Sequence, residues 1–155
     1  MKMSLYDIHK DIEKSKYSNG VKEKIKSMLQ VVSISTEDDI SLEYEDFKLI
    51  MDHGNVVLCG VGEYKGIDAA TQAIKLAIED SSAYNRLMNK FTGILVHFIV
   101  HPDFPIIDIA DAMSIINDEA HYDADIIFGT TSDKTLSKSS VKVSILLTRA
   151  GNNIG

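Results

Sequence analysis

The chain has 155 residues, of which 45% are hydrophobic and 25% are charged, as in an ordinary globular domain. This composition excludes a disordered, collagen-like or coiled-coil chain, and no apolar run approaches the ~18 residues that suggest a membrane span. The net charge of −7 argues against non-specific binding to nucleic acid. Cys59 is the only cysteine, which excludes an intrachain disulfide and a cysteine-built zinc site, and a reduced cytoplasmic compartment is expected.

Charge is distributed unevenly along the chain. Residues 1–34 carry seven lysines and four acidic side chains, whereas residues 35–155 carry nine basic and nineteen acidic ones. Six acids fall within residues 37–46, here called the acidic loop, without a basic residue among them: Glu37, Asp38, Asp39, Glu43, Glu45 and Asp46. Such a run is typical of a solvated surface, and it is also compatible with an interaction surface.

The N-terminal part of the chain is predicted to be helical. A short helix is expected first, and Asn19-Gly20 predicts a break after it. Apolar residues then recur at helical spacing, which predicts an amphipathic helix of about four turns over 21–34. The predicted organisation is an N-terminal helical segment over 1–36 and one domain over 37–155.

The acidic loop is predicted to lead into another helix. Phe47, Ile50 and Met51 restart helical spacing, and Gly54 is expected to end the helix as its C-cap. The last three acids of the loop then lie in the first turn, where the helix dipole favours negative charge.

From residue 55 onward, strand and helix patterns alternate. Two apolar runs without alternation, 55–62 and 93–100, are typical of strands buried on both faces. A third strand is predicted over 125–129. A fourth, with one face exposed to solvent, is predicted over 141–147. Helices are predicted from Ile67 to Ser82, over the shorter stretch 84–91, and from Asp108 as N-cap to Ala120.

The order β-α-β-α-β-β predicts an α/β fold, or α+β in some classifications. It is a four-stranded, mostly parallel sheet with two crossover helices, preceded by the N-terminal helical segment. The spacing between the first three strands suits right-handed crossovers that each contain a helix. Two such helices cover one face of the sheet, so the second face needs cover from the helix at 21–34 or from a partner subunit.

Several segments, in order, resemble the C-terminal domain of FtsZ, the tubulin-like GTPase family of bacterial cell division. Residues 123–133, DADIIFGTTSD, and 141–148, VKVSILLT, are similar to the family's ANIIFGAVID…VRVTVIAT. Residues 92–104, TGILVHFIVHPDF, are similar to its GILVNITGGPDL strand and turn. Residues 41–48, SLEYEDFK, fall where the family has NVDFADVR. The resemblance covers about residues 21–149.

The resemblance implies a GTPase domain N-terminal to the matched region, which these residues do not include. The family's phosphate loop is a glycine run of the GGGTGTG type, whereas this sequence has no two adjacent glycines and no GxxxxGK[ST]. We therefore expect no autonomous binding or hydrolysis of GTP. We also expect no cofactor and no metal.

Two acids of the loop have a role by resemblance. In the family, two acids here enter the next subunit's nucleotide site and position the attacking water, a task that suits carboxylates. Glu43 stands where the family has a shorter acid, Asp46 matches the second acid, and Ser41 replaces an asparagine.

Three interpretations of this region stay open. The acids cap a helix, or they contribute to catalysis in trans through Glu43 and Asp46, or the loop is an interaction surface. The last interpretation involves Ser41, Glu37, Asp38, Asp39 and Glu45.

Two further patterns are assigned structural roles. Gly60 and Gly62 follow a strand and precede a helix, but the third glycine of a dinucleotide loop, Gly66, is one residue late. Gly60 and Gly62 are therefore interpreted as a tight strand exit, that is, the point where the chain turns out of the strand. His97 is predicted to be a buried, hydrogen-bonded core residue, and His101 lies too far along the strand to share a metal with it.

The function expected from these residues is a protein-interaction and assembly module of the FtsZ C-terminal type. It would dock the acidic loop on an FtsZ-like GTPase domain, or self-associate through the uncovered sheet face into a homo-oligomer. The alternative is a small-ligand-binding or regulatory domain that reuses the fold without a division role. A pocket near Gly62, His101 and Thr131 would favour that alternative. Neither nucleic acid nor a membrane is expected as a partner.

Overall fold

The computed structural model describes residues 19–20, 22–23, 25–26, 39–83 and 88–151. Its regular elements from residue 44 onward are α1 (Tyr44–Met51), β1 (Val56–Lys65), α2 (Ala69–Ser81), a 3₁₀ turn (Met88–Lys90), β2 (Gly93–Val100), α3 (Ile106–Glu119), β3 (Asp125–Ser132) and β4 (Ser140–Arg149). No helix within these described ranges is long and apolar enough to cross a membrane.

The four strands form one sheet in the order β1-β4-β2-β3. β2 and β3 are parallel, whereas β4 pairs antiparallel with both β1 and β2, so three strands run one way and β4 runs the other way between them. The predicted four-stranded, mostly parallel α/β fold is confirmed. Because β4 is central, the face predicted to be exposed to solvent is only partly exposed. Lys142 and Ser144 are half-buried, and Thr148 is buried.

The two predicted crossover helices, α2 and α3, pack on the same face of the sheet and bury the larger apolar core. Gly60 and Gly62 lie inside β1, which continues to Lys65, so their interpretation as a strand exit is wrong. A Cβ at Gly60 would overlap the carbonyl oxygen of Ala77, and a Cβ at Gly62 would overlap that of Ala73. The glycines therefore allow α2 to approach the strand backbone closely.

The opposite face of the sheet is covered at one end by the same chain. Phe47 and Ile50 of α1 pack there with Leu95 of β2 and with Ile25. Ile25 is fully buried and belongs to the helix predicted over 21–34, one of the two expected sources of cover. At this end, the chain covers its own second face without a partner subunit.

Several predicted boundaries are corrected. Asn19 and Gly20 are both helical, so the break predicted there is wrong. α3 has Pro105 as its N-cap, and Asp108 lies in the first turn instead of capping the helix. β3 continues to Ser132, beyond the end predicted at residue 129, because the polar residues 130–132 also pair with β2.

The remaining differences concern helix ends. α1 has Asp52 as its C-cap, before the predicted Gly54. Gly54 has φ 151° and lies against the backbone of Arg149, where a side chain would clash. Of the predicted helix over 84–91, the described part is a 3₁₀ turn. The short helix expected before residue 19 lies outside the described residues.

Candidate functional site

The described part of the acidic loop runs beside β3, an outer strand of the sheet, before it enters α1. The backbone N–H of Thr130 donates to the carbonyl of Ile40 at 2.8 Å, and the Thr130 hydroxyl accepts the N–H of Ile40 at 2.9 Å. Leu42 is buried against Gly129, where a Cβ would overlap the leucine side chain. Backbone pairing and apolar packing therefore fix the start of the loop to the sheet.

Asp39 anchors the same end of the loop. Its Oδ2 accepts the backbone N–H of Ser132 at 3.1 Å, and its Oδ1 accepts the Ser132 hydroxyl at 2.8 Å. The Thr130 hydroxyl also donates to Oδ1, at 3.3 Å. Asp39 was predicted to be an interaction residue, but its carboxylate accepts hydrogen bonds from its own chain. Hydrogen bonds to an ionised acceptor are stronger than those between neutral groups.

Glu43 and Asp46 meet at the beginning of α1. Glu43 is the N-cap residue with an extended backbone, and Asp46 Oδ2 accepts its N–H at 2.7 Å. The carboxylate at the third helical position thereby satisfies the cap residue's N–H, as in a capping box. The Glu43 side chain accepts the backbone N–H of Asp46 in return, so the helix-cap interpretation fits both acids, although Glu43 stays exposed to solvent.

The surface that the loop presents is acidic with apolar neighbours. Ser41, Glu43 and Glu45 are exposed, and Ile40 and Leu49 are exposed by 39% and 45%. Carboxylates on such a surface can pair with cationic groups or orient water. Glu37 and Asp38, the first two acids of the predicted interaction surface, lie outside the described residues.

His97 lies in β2, with the hydroxyl of Thr131 2.8 Å from its Nε2. Its side chain is only 1% exposed. Burial lowers the pKa of His97 to about 4, and the negative charge of Asp39 opposes this shift. The imidazole is therefore neutral at pH 7, and the prediction of a buried, hydrogen-bonded core histidine is confirmed.

His53 was not singled out by the sequence. It follows α1, with its Nδ1 2.8 Å from the Thr92 hydroxyl and its Nε2 2.7 Å from the Asp125 carboxylate. These contacts tie the end of α1 to the beginnings of β2 and β3. No local pattern predicts them, because Thr92 and Asp125 lie 39 and 72 residues away along the chain.

A cavity of about 330 Å³ opens at the end of the sheet where β1 and β2 finish. It lies between the first turns of α2 and α3 and the loop before β4, and its polar lining includes Asp108 and Lys138. The predicted pocket was centred on Gly62, His101 and Thr131, none of which lines this cavity. In the described ranges, no group of three or more histidine, cysteine or acidic side chains is arranged to hold a metal ion.

Comparison with known proteins gives one consistent family. Residues 55–151 match the model of the FtsZ family, C-terminal domain. The cell division protein FtsZ of Helicobacter pylori is 30% identical over 122 residues, which are 79% of this chain and 32% of that protein. FtsZ of Neisseria meningitidis is 27% identical over 131 residues, which are 84% of this chain and 33% of that protein. The chain thus spans about a third of the length of these curated relatives.

Two solved structures share the architecture. An FtsZ point mutant of M. jannaschii superposes with a TM-score of 0.67 at 20% identity, over 84% of this chain and 38% of that chain. An empty FtsZ dimer of the same organism superposes with a TM-score of 0.62 at 21% identity, over 93% and 42% of the two chains. At these identities the superpositions establish the fold.

Proposed function

This chain belongs to the FtsZ family, whose C-terminal domain it carries over residues 55–151, and from that premise we propose that it acts as an assembly module. Its matched relatives are cell division proteins. The proposed action is docking of the acidic loop on the GTPase domain of an FtsZ-like partner, in the cytoplasm. Because the sequence has no two adjacent glycines, we propose that the chain does not bind GTP on its own.

One observation carries this proposal: the loop is fixed from within the chain while two of its acidic residues remain exposed to solvent. Asp39, Leu42 and Asp46 attach the loop to β3 and to α1. Glu43 and Glu45 are exposed between these attachments. A preorganised surface loses little conformational entropy on binding, so its charges are available for recognition at low cost.

The charge of the loop indicates the chemistry of the partner. No basic side chain lies within residues 37–46, and the nearest lysine after the loop, Lys48, pairs with Asp52 at 2.8 Å. The docking surface on the partner is therefore expected to be cationic. Attraction between exposed charges weakens as ionic strength rises, so the docking should depend on salt.

Catalysis in trans is the more demanding version of the same proposal. By resemblance, Glu43 and Asp46 would position the water that attacks the partner's nucleotide. Both carboxylates already accept a backbone N–H in the capping box, so each would have to position the water with its remaining acceptor positions. Self-association is the second form of assembly, and one structural relative is an FtsZ dimer.

The cavity supports a second candidate function. Its volume of about 330 Å³ lies at the lower end of the range of small-molecule sites, roughly 300–1,000 Å³. Asp108 and Lys138 supply both signs of charge, which suits a ligand with more than one polar group. A thermal-shift screen of polar metabolites with wild type and Lys138→Ala would test it, and a ligand that stabilises only wild type would support it.

The docking proposal is tested by phosphate release from an intact FtsZ-type GTPase of the same source, titrated with this protein. The central variant is Glu43→Gln/Glu45→Gln, which removes two exposed charges and leaves the Asp39 anchor and the Asp46 cap in place. The matched control is Glu79→Gln/Asp118→Asn, which removes two exposed charges from α2 and α3. Each titration is run at two salt concentrations.

A rate change that wild type and the control share, and that the loop variant loses, would support docking through the acidic loop. High salt should weaken the effect of wild type. No rate change at any ratio, or an equal effect of the loop variant, would contradict the proposal. A further variant, Glu43→Gln by itself, separates docking from catalysis. If it still binds the GTPase but no longer changes the rate of phosphate release, the result would indicate catalysis in trans.

A further inference from the structure

The outer edge of β1 has unused pairing capacity. β1 ends the strand order, and its side opposite β4 faces no other strand of the described chain. Backbone groups alternate between the two edges of a strand, and Gly66, just after β1, donates its N–H inward to Ser139 at 3.1 Å. The N–H groups of Val61, Glu63 and Lys65 therefore point outward.

Of these three outward N–H groups, only that of Val61 has a hydrogen-bond partner among the described residues. Asp80 of α2 reaches over the edge, and its Oδ2 accepts the N–H of Val61 at 2.9 Å. A carboxylate at this position is a common way to block strand addition, because it occupies a donor that a new strand would need. It occupies the outward donor of Val61, whereas no residue in the described part of the chain bonds to the outward N–H groups of Glu63 and Lys65.

The side chains of this open section are self-complementary. Glu63, Tyr64 and Lys65 are all exposed. Side chains alternate along a strand, so Glu63 and Lys65 lie on the same face of the sheet and Tyr64 on the other. If two copies pair antiparallel around Tyr64, each Glu63 is placed opposite Lys65 of the second copy, and the two tyrosines are opposite each other.

Exposed apolar side chains flank the paired segment. Val61 is 64% exposed and Ile67 is 88% exposed. Val61 precedes the paired segment within β1, and Ile67 follows it in the turn after Gly66. The pairing itself places Glu63 opposite Lys65 and Tyr64 opposite Tyr64, and opposite charges and aromatic pairs across neighbouring strands each stabilise a sheet by roughly 0.2–1 kcal/mol.

We propose that the edge of β1 from Glu63 to Lys65 pairs antiparallel with the same edge of a second copy of this chain, with a two-fold axis at Tyr64. The partner is a second copy because antiparallel pairing places Glu63 of each copy opposite Lys65 of the other, so that opposite charges meet. This contact lies on β1, whereas the acidic loop lies beside β3 at the other edge of the sheet. It therefore adds a second interaction surface to the proposed function and does not depend on it.

The experiment is sedimentation equilibrium of the full chain alone, without a GTPase, over a range of concentrations at low salt. Wild type is expected to show a reversible monomer–dimer equilibrium. Lys65→Glu and Glu63→Lys each place like charges opposite each other twice in the symmetric contact, and each is expected to weaken dimerisation about tenfold. The control is Lys90→Glu, an exposed change of the same charge outside the edge, which should dimerise as wild type does.

The charge-swapped variant Glu63→Lys/Lys65→Glu restores opposite charges in the pairing and is expected to recover the dimer. Far-UV circular dichroism checks that every variant is folded. A wild type that stays monomeric at all concentrations would overturn the proposal. So would a dimer that Lys65→Glu leaves unchanged, or a swapped variant that behaves as the single variants do. None of these results would bear on docking of the acidic loop, since no partner is present.

Discussion

The carboxylate of Asp46 accepts the backbone N–H of Glu43 at 2.7 Å, so two acids with a catalytic role by resemblance are bonded at one helix terminus. This contact gives Asp46 a structural task that any catalytic task must share. A variant that removes both carboxylates would therefore disturb the helix and the charge at the same time. The two effects can be separated with an isosteric amide.

Asp46→Ala is expected to lower the free energy of unfolding by about 1 kcal/mol, because α1 loses the acceptor at its first turn. Asp46→Asn keeps an acceptor oxygen and should cost less. Urea denaturation measures both, with Glu45→Ala, an exposed neighbour, as the control with little change. Equal stability of Asp46→Ala and wild type would show that the cap contributes nothing.

The sequence predicts those features whose cause is local. β2 spans Gly93–Val100 as expected, because an unbroken apolar run between a glycine and a proline marks a strand buried on both faces. The central position of β4 could not be predicted, since strand order depends on partners far away along the chain. The anchoring role of Asp39 was missed for the same reason, because Ser132 lies 93 residues away.

His97 is expected to make stability depend on pH. Burial lowers its pKa in the folded chain to about 4, below the ordinary value of 6.5, so the unfolded chain takes up the proton first as the pH falls. The contribution of the neutral imidazole to the free energy of unfolding is therefore complete above pH 6.5. It falls by about 3 kcal/mol as the pH drops towards 4. His97→Gln removes this titration and keeps a polar group near Thr131.

The measurement is the difference in unfolding free energy between wild type and His97→Gln, from urea titrations between pH 7 and pH 4. Titration of the carboxylates that both proteins share cancels in this difference. The advantage of wild type should shrink steadily as the pH falls. A difference that is constant over this range would mean that His97 does not titrate as its burial requires.

Gly62→Ala is expected to destabilise the chain by about 2 kcal/mol or more, because its Cβ would overlap backbone atoms of Ala73 and Ala77 in α2. Gly20→Ala is the matched control. Gly20 is helical and has no atom within 4 Å of the added Cβ, so the same substitution should stabilise the helix by about 1 kcal/mol. Thermal unfolding of the two variants should shift in opposite directions. A tolerated Gly62→Ala would contradict the close contact between α2 and β1.

The contact between Asp39 and Ser132 is expected to hold the acidic loop in place. Asp39 accepts both the hydroxyl and the backbone N–H of Ser132, and hydrogen bonds to a charged group are worth about 1.5–3 kcal/mol each. A double-mutant cycle of Asp39→Ala and Ser132→Ala removes the hydroxyl bond and should give a coupling energy of about 1.5 kcal/mol in urea denaturation. The matched cycle of Glu45→Ala with Ser132→Ala should give none, because Glu45 is exposed on α1. If the first coupling is also near zero, Asp39 does not fix the loop through the serine hydroxyl, and the preorganisation that supports docking would rest on Leu42, the pairing of Ile40 with Thr130 and the Asp46 cap.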